Sequence, residues 1–341
     1  MTGKPKAKNV RTLSAIAWMI CAIAAALVAW PYALSAVNAA LMGAVRAGRQ
    51  SEVERLLGLG ADPNGYRAGR SAPLVMPPLS EAIQRGHIGV ARALLAHGAR
   101  ANPQVSGAPP ALVLAAQYGS LEEVRLLLDY GADVTVVDFD GNTPLIMAAT
   151  DPDILELIAA RGAKIDTANG YGQTALLRSA GRLNVRGVRF LVGRGADVNC
   201  KTIRGMTPLH RAIRNSPGAG FSAPPNVGFS SPPMMQGLSA LTFSDQVVVD
   251  TPEIRRKRFA AAVEITRLLL NAGAAVNTRS VDGNSPLMEA VGHPPEIAAL
   301  LLEHGADPNY TNARKQSVLA LAIQSHRTDI VHLLRKYGAK R

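Results

Sequence analysis

Leucine-rich segments recur along the chain, and each ends on the same Gly-Ala step. Leu94 and Leu95 lead to Gly98, Leu126 to Leu128 lead to Gly131, and Leu300 to Leu302 lead to Gly305. The step stands at Gly60, Gly98, Gly131, Gly162, Gly195, Gly273, Gly305 and Gly338, at spacings of 38, 33, 31, 33, 78, 32 and 33 residues. A hydrophobic pattern with a fixed period near 33 predicts a solenoid of stacked supersecondary units. The 78-residue interval reads as one unit plus an insertion of about 45 residues.

The polar positions between these segments predict the elements. Glycine after a leucine-rich run can take the left-handed conformation that ends a helix and satisfies its last carbonyls. Thr143-Pro144-Leu145, Thr207-Pro208-Leu209 and Ser285-Pro286-Leu287 put a hydroxyl at the N-cap and proline at the first helical position, where its missing N–H has no helical partner anyway. Small residues follow (Ala148, Ala149, Ala212, Ala290) and let a second helix pack closely. Each unit therefore reads as turn, short helix, turn, longer helix.

This pattern resembles the ankyrin repeat, whose hallmark is Thr-Pro-Leu-His, then Ala-Ala, a glycine, a Leu-Leu pair and Gly-Ala-Asp. Thr207-Pro208-Leu209-His210 is a full copy of the opening step, and the stretches from Asp140 to Leu145 and from Asp282 to Leu287 are close copies. The resemblance extends over about eight units, from Ser35 to the C-terminus. It implies an all-α ankyrin-repeat solenoid, here expected to be preceded by a single N-terminal hydrophobic helix. It is nearly silent on function, because the fold serves many partners. The resemblance further implies that His210 bonds to nearby turn groups. Variable positions on the turn tips are expected to meet the partner: Phe139, Asp140 and Asn142; Tyr171 and Gln173; Ile203, Arg204 and Met206; Val281, Asp282 and Asn284; Arg314 and Gln316. Phe139, Tyr171 and Ile203 on adjacent tips would be unusual as exposed groups unless they pack or bind.

The departures from the repeat are as informative. The first unit, Ser35 to Gly60, lacks the Thr-Pro-Leu step and reads as an N-terminal cap. A finger with Arg67 and Arg70 follows, from Asn64 to Met76. The unit opening Gln173-Thr174-Ala175-Leu176 has lost the proline; the one opening Gln316-Ser317-Val318-Leu319 has lost the proline and the turn glycine. The latter ends in Arg335, Lys336, Lys340 and Arg341, the polar exterior a terminal repeat needs. The insertion, at about 215–250, is rich in Pro, Gly and Ser and predicts a loop. Its apolar residues, Phe221, Phe229, Met234, Met235, Leu238, Leu241 and Phe243, either dock on a partner, fold back on the array, or belong to an unordered linker. Thr251-Pro252-Glu253 restarts a helix expected to run to about Ala272.

The N-terminus has a pattern of its own. Residues 1–12 carry Lys4, Lys6, Lys8 and Arg11, and residues 13–32 are apolar, closing on Trp30, Pro31 and Tyr32. As a helix, Leu13 to Trp30 would be about 27 Å long, close to the thickness of a bilayer core. The length favours a retained transmembrane anchor over a cleaved signal segment, although Ala33-Leu34-Ser35 and Val37-Asn38-Ala39 offer cleavage sites; a buried core helix is the third reading. Under the positive-inside rule the N-terminus is cytoplasmic. In a bacterium, which the Arg, Ala and Gly bias hints at, the repeats would then be periplasmic and the chain a single-pass inner-membrane protein; signal cleavage would leave it soluble in the periplasm.

Composition changes this picture little. Aromatics are 4% of residues against 48% hydrophobic, which suits closely packed helices rather than a β-sandwich. Cys21 and Cys200 are too separate in context to predict a disulfide. The net charge of +12 permits an acidic, phosphate-bearing or anionic partner. Direct nucleic-acid binding is disfavoured, because the basic residues are scattered and few aromatics are available for stacking. No paired-Cys motif, His-Glu-x-x-His, phosphate loop or Gly-x-Ser-x-Gly elbow is present, so no catalysis, cofactor or metal is expected. The expected function is a non-catalytic protein–protein interaction module, tethered to the membrane through residues 13–32, binding a protein partner on the concave face the resemblance implies. The alternatives are an accessory, stabilising or immunity factor for an enzyme or toxin, and a binder of anionic polymer or lipid.

Overall fold

The structure, a computed structural model, describes residues 35–65, 76–103, 108–217 and 251–340. Among these residues every regular element is helical; the only β pairing is an isolated bridge between Thr311 and Ser317. The chain divides into two units, Met1–Ala108 and Pro109–Arg341. The basic leader, the apolar segment 13–32, the finger residues 66–75 and residues 218–250 of the insertion lie outside the described residues.

In the first unit, α1 (35–46) and α2 (Gln50–Gly58) are followed by α3 (Pro78–Gln84) and α4 (Ile88–Ala96). Apolar residues at helical spacing bury one stripe of each: Leu41, Ala44 and Val45; Val53, Leu56 and Leu57; Leu79 and Ile83; Val90 and Leu94. The buried carboxylate of Glu81 is compensated by two guanidinium groups, Arg85 Nε at 2.8 Å and Arg46 Nε at 3.3 Å.

The second unit contains α5 (Ala111–Tyr118), α6 (Leu121–Asp129), α7 (Pro144–Met147, continued by a 3-10 turn Ala148–Thr150), α8 (Pro152–Ala160), α9 (Ala175–Gly181), α10 (Val185–Gly193), α11 (Pro208–Arg214), α12 (Pro252–Asn271), α13 (Pro286–Ala290), α14 (Pro295–Glu303), α15 (Val318–Gln324) and α16 (Thr328–Lys336). The odd-numbered helices pack in sequence, α5 on α7 through to α13 on α15, and the even-numbered helices do the same from α6 to α16. Two helical layers result, with Leu127, Leu155, Leu176, Leu191, Leu209, Leu269 and Leu301 buried between them. Each such side chain stabilises the fold by about 1.5–3 kcal/mol through the apolar surface it removes from water.

The start and stop signals act as their chemistry requires. Thr143, Thr207, Thr251 and Ser285 each accept a hydrogen bond from the backbone N–H three residues on, and proline occupies the next position. Thr174 caps α9 in the same way from Leu177 N at 3.3 Å, although alanine has replaced the proline. The hydroxyl is thus the essential part of the signal, contributing about 1 kcal/mol. At the other end Gly131, with φ +78°, lets its own N–H reach Leu128 O and that of Ala132 reach Leu127 O at 2.9 Å. The latter is the six-to-one bond of a Schellman motif, and it returns from Ala61, Ala99, Ala196, Ala274, Ala306 and Ala339. Alanine follows glycine because that position turns back into the core: Ala306 is 4% exposed.

The expected single-pass inner-membrane placement is corrected by the helices themselves. Among the described residues no helix is long and apolar enough to cross a membrane. The longest, α12, has 20 residues but carries Glu253, Arg255, Arg256, Lys257, Arg258, Glu264 and Arg267, charges that each cost several kcal/mol in hydrocarbon.

Candidate partner-binding face

Within the second unit five turns precede the odd-numbered helices α7, α9, α11, α13 and α15, and each is folded by its own first residue. Asp138 Oδ1 accepts from Asp140 N (3.0 Å) and Asn142 N (2.8 Å). Asn169 Oδ1 accepts from Tyr171 N and Gln173 N, both at 2.9 Å, and Asn312 Oδ1 from Arg314 N and Gln316 N, both at 3.0 Å. Thr202 and Ser280 use a hydroxyl for the same purpose, toward Met206 N and Asn284 N. These are Asx- and ST-type turns, local and self-contained.

The turns are then joined to one another. Gly170 N donates to Asp140 O at 2.8 Å, Ile203 N to Tyr171 O at 3.0 Å, and Val281 N to Arg204 O at 2.8 Å. Asn169 Nδ2 donates to Asn142 Oδ1 at 2.7 Å and Asn312 Nδ2 to Asn284 Oδ1 at 3.1 Å. Successive tips are therefore fixed in register by backbone and amide bonds.

This arrangement sorts the thirteen residues singled out from the sequence. Phe139, Tyr171, Ile203 and Val281 stand on consecutive linked tips, exposed by 66%, 37%, 68% and 68%. Arg204, Asp282 and Arg314 are exposed beside them, and Asp140 is half-buried, accepting from Tyr171 Oη at 3.3 Å. The Asp140 charge raises the Tyr171 pKa. Asn142, Gln173 and Met206 are buried. Asn284 and Gln316 are half-buried, Asn284 taking part in the amide chain and Gln316 Oε1 accepting from Asn312 at 3.2 Å.

His210 does bond to its own turn, its Nδ1 lying 2.9 Å from Thr207 Oγ1 and accepting from Thr207 N. That fixes the neutral tautomer with Nε2–H donating to Asn284 O at 3.2 Å, on the next tip. Burial holds its pKa down at about 4. Cys200 Sγ lies 3.4 Å from Thr174 Oγ1, and burial pushes the thiol up to about 11.

The odd-numbered helices add side chains that sequence reasoning missed. Arg178 on α9 and Arg211 on α11 occupy the same register, four residues after Thr174 and Thr207. Arg182, at the C-cap of α9, and Arg214, the last residue of α11, extend the basic surface. The signal was the recurrence of arginine at one register position, obscured by a chain rich in arginine throughout. Among the described residues no cluster of His, Cys, Asp or Glu is suited to a metal ion. A shallow open groove of about 540 Å³ runs along α12 beside Glu296, lined by Phe259, Val263 and Leu268, and presents no grouping of acid, base and nucleophile.

Comparison with known proteins accords with this architecture. A family profile described as "Ankyrin repeats (3 copies)" matches residues 79–169 and 258–340, and one described as "Ankyrin repeats (many copies)" matches residues 184–219. The chain is 28% identical to "Ankyrin repeat and KH domain-containing protein mask-1" of Caenorhabditis elegans, over 76% of its own length and 10% of that protein's. It is 30% identical to "Ankyrin repeat and SOCS box protein 16" of Mus musculus, over 73% of its own length and 47% of the relative's. A further relative, 28% identical over 65% of this chain and 34% of its own length, is named "Putative palmitoyltransferase ZDHHC13" of Danio rerio. The chain spans less than half the length of each of these relatives. With profile matches over more than half of its residues, the chain belongs to the ankyrin-repeat family.

Proposed function

We propose that this ankyrin-repeat protein binds a protein partner along the linked tips of its second unit. Ankyrin repeats are protein–protein interaction modules, and the reading adds where contact is made. The observation that carries it is the row of Phe139, Tyr171, Ile203 and Val281, large apolar groups left in water on tips that hydrogen bonds hold in fixed order. Holding such groups in water is unfavourable, and a rigid row of them is a pre-organised anchor set that loses little entropy on docking. Arg204, Asp282 and Arg314 supply the polar rim that sets register and excludes wrong partners. Asn142, Gln173 and Met206 serve by shaping the tips from beneath.

The test is retention of a partner from host extract by the immobilised full chain, against a Phe139→Asp, Ile203→Asp double variant and an Arg267→Gln control on the exposed side of α12. The tip variant is expected to weaken retention roughly tenfold or more, as for central interface residues, with helix content unchanged. Equal retention by all three chains would remove the tips from the interface.

A further inference from the structure

We propose that the surface formed by α9 and α11 takes an acidic segment of a protein partner, whose carboxylates bind the cluster Arg178, Arg182, Arg211 and Arg214. The proposal rests on the reading of the second unit as a protein-binding surface, and it names the chemistry of what lies on it.

The two helices pack directly on each other. Arg211 lies against the backbone of α9, its Nε 3.5 Å from where a Cβ on Gly181 would stand, and Asn215 Nδ2 donates to Gly181 O at 2.6 Å. Arg178 feels the charges of Arg182 and Arg211, and Arg211 those of Arg182 and Arg214, so the four guanidinium groups form one cluster. No carboxylate lies within ion-pair distance of any of the four among the described residues. Other arginines of this unit are differently placed: Arg161 pairs with Asp129, Arg186 with Asp153 and Glu156, Arg189 with Glu264, and Arg327 with Asp329. Arg178 Nε and Arg211 Nε are buried and have no hydrogen-bond partner. Unpaired cationic donors sunk against a helix face are costly unless a partner satisfies them, since each leaves water without compensation. Burial and the neighbouring arginines both lower the proton affinity of Arg178 and Arg211, the direction that a nearby negative charge would oppose.

The surroundings distinguish between anionic partners. On one side stand the neutral phenol Tyr118 and the carboxylate Asp138, whose charge acts on Arg178; on the other, α13 places Glu289 at the register of Arg211, near Asn284 Nδ2 at 3.5 Å. A nucleic acid carries a phosphate at every step and would meet Asp138 or Glu289 as it crossed the cluster. A peptide can set glutamates or aspartates over the arginines and neutral residues over the flanking acids. The guanidinium fork suits carboxylates in bidentate pairs, and Tyr118 alone offers little of the stacking platform that single strands use.

The experiment uses the full chain and three fluorescent probes read by anisotropy: a short peptide alternating Glu and Leu, the same peptide with Gln for Glu, and an oligothymidine. The Glu peptide is expected to bind and the Gln peptide to fail. Arg182→Gln with Arg214→Gln, which leaves the half-buried Arg178 and Arg211 in place, is expected to weaken the Glu peptide roughly tenfold, the scale of losing charge-assisted contacts. Arg178→Gln with Arg211→Gln, checked for retained helix content, should weaken it further. Equal binding of the Glu and Gln peptides, or an unchanged affinity in the Arg182, Arg214 variant, would overturn the proposal, as would oligothymidine binding more tightly than the Glu peptide through the same arginines. The Phe139, Ile203 variant separates the two readings: natural-partner capture that survives it removes the tips, whereas Glu-peptide binding that survives the arginine variants removes the cluster.

Discussion

At the scale of the residue, His210 shows how a local motif becomes a link between repeats. Its bond to Thr207 lies within the Thr-Pro-Leu-His step, where the ankyrin resemblance implied a bond to nearby turn groups. Its bond to Asn284 spans 74 residues and exists only once the repeats have stacked. Acceptance from Thr207 N requires the neutral ring, whereas Nε2–H donates to Asn284 O in either state; burial outweighs that second bond and holds the folded pKa at about 4, below the usual histidine value of 6.5. The unfolded chain therefore gains a proton first as pH falls. The stabilisation from His210 is complete above pH 6.5 and is lost as pH drops from 6.5 toward 4, by about 3 kcal/mol over that range. Urea unfolding at pH 7 and pH 4.5 should show this loss in the native chain and a smaller one in His210→Gln. An equal loss in both would place the acid sensitivity elsewhere. Cys200 gives a second residue-scale expectation. With its pKa near 11, only about a thousandth of it is thiolate at pH 8, so iodoacetamide should label it far more slowly than an exposed thiol and reach it freely only in urea.

At the scale of the element, the turn tips explain both a rule and its exception. Gly172 has φ +70°, and a Cβ there would come within 2.8 Å of Lys201 O, so left-handed backbone and the approach of the next tip both demand glycine. Lys315 holds the same register in the tip before α15, with φ +58° and an exposed side chain. The sequence displays the missing glycine as a departure from the repeat; only the structure shows that the residue there is uncrowded enough to pay strain alone. Lys315→Gly should accordingly raise stability by about 1 kcal/mol, the cost of left-handed backbone for an L side chain. Gly172→Ala should lower it by about 2 kcal/mol or more, since strain and a backbone clash add. Denaturant midpoints at unchanged m-value check both, and signs other than these would show that the tips are more pliant than their hydrogen bonds imply. The same contrast governs the proposed binding face. The order of the tip residues was readable through the repeat the chain resembles, whereas the burial of Asn142, Gln173 and Met206 emerges only from the stacked turns, and the shared register of Arg178 and Arg211 gains meaning only once α9 meets α11.

At the scale of the whole molecule, the second unit is held by neighbours only. Each helix of α5–α16 packs on its pair and on the corresponding helices before and after, so stability is a sum over adjacent interfaces and not a property of one central core. Asparagines reinforce three of the junctions. Asn199 Oδ1 accepts from Ala275 N at 2.7 Å, Asn277 Oδ1 from Asp307 N at 2.9 Å, and Asn309 Oδ1 from Lys340 N at 2.7 Å. A cavity cut into the last pair should then weaken that pair first. Leu334 of α16 is fully buried, so Leu334→Ala should cost about 2–5 kcal/mol locally. Native-state hydrogen exchange on the full chain is expected to show protection lost across α15 and α16, partly reduced in α13 and α14, and retained in α7 to α10. Uniform loss from α5 to α16 would mean that the unit unfolds as one cooperative block. A partner bound along several tips would then stabilise all of it at once, rather than clamping in turn the pairs it touches.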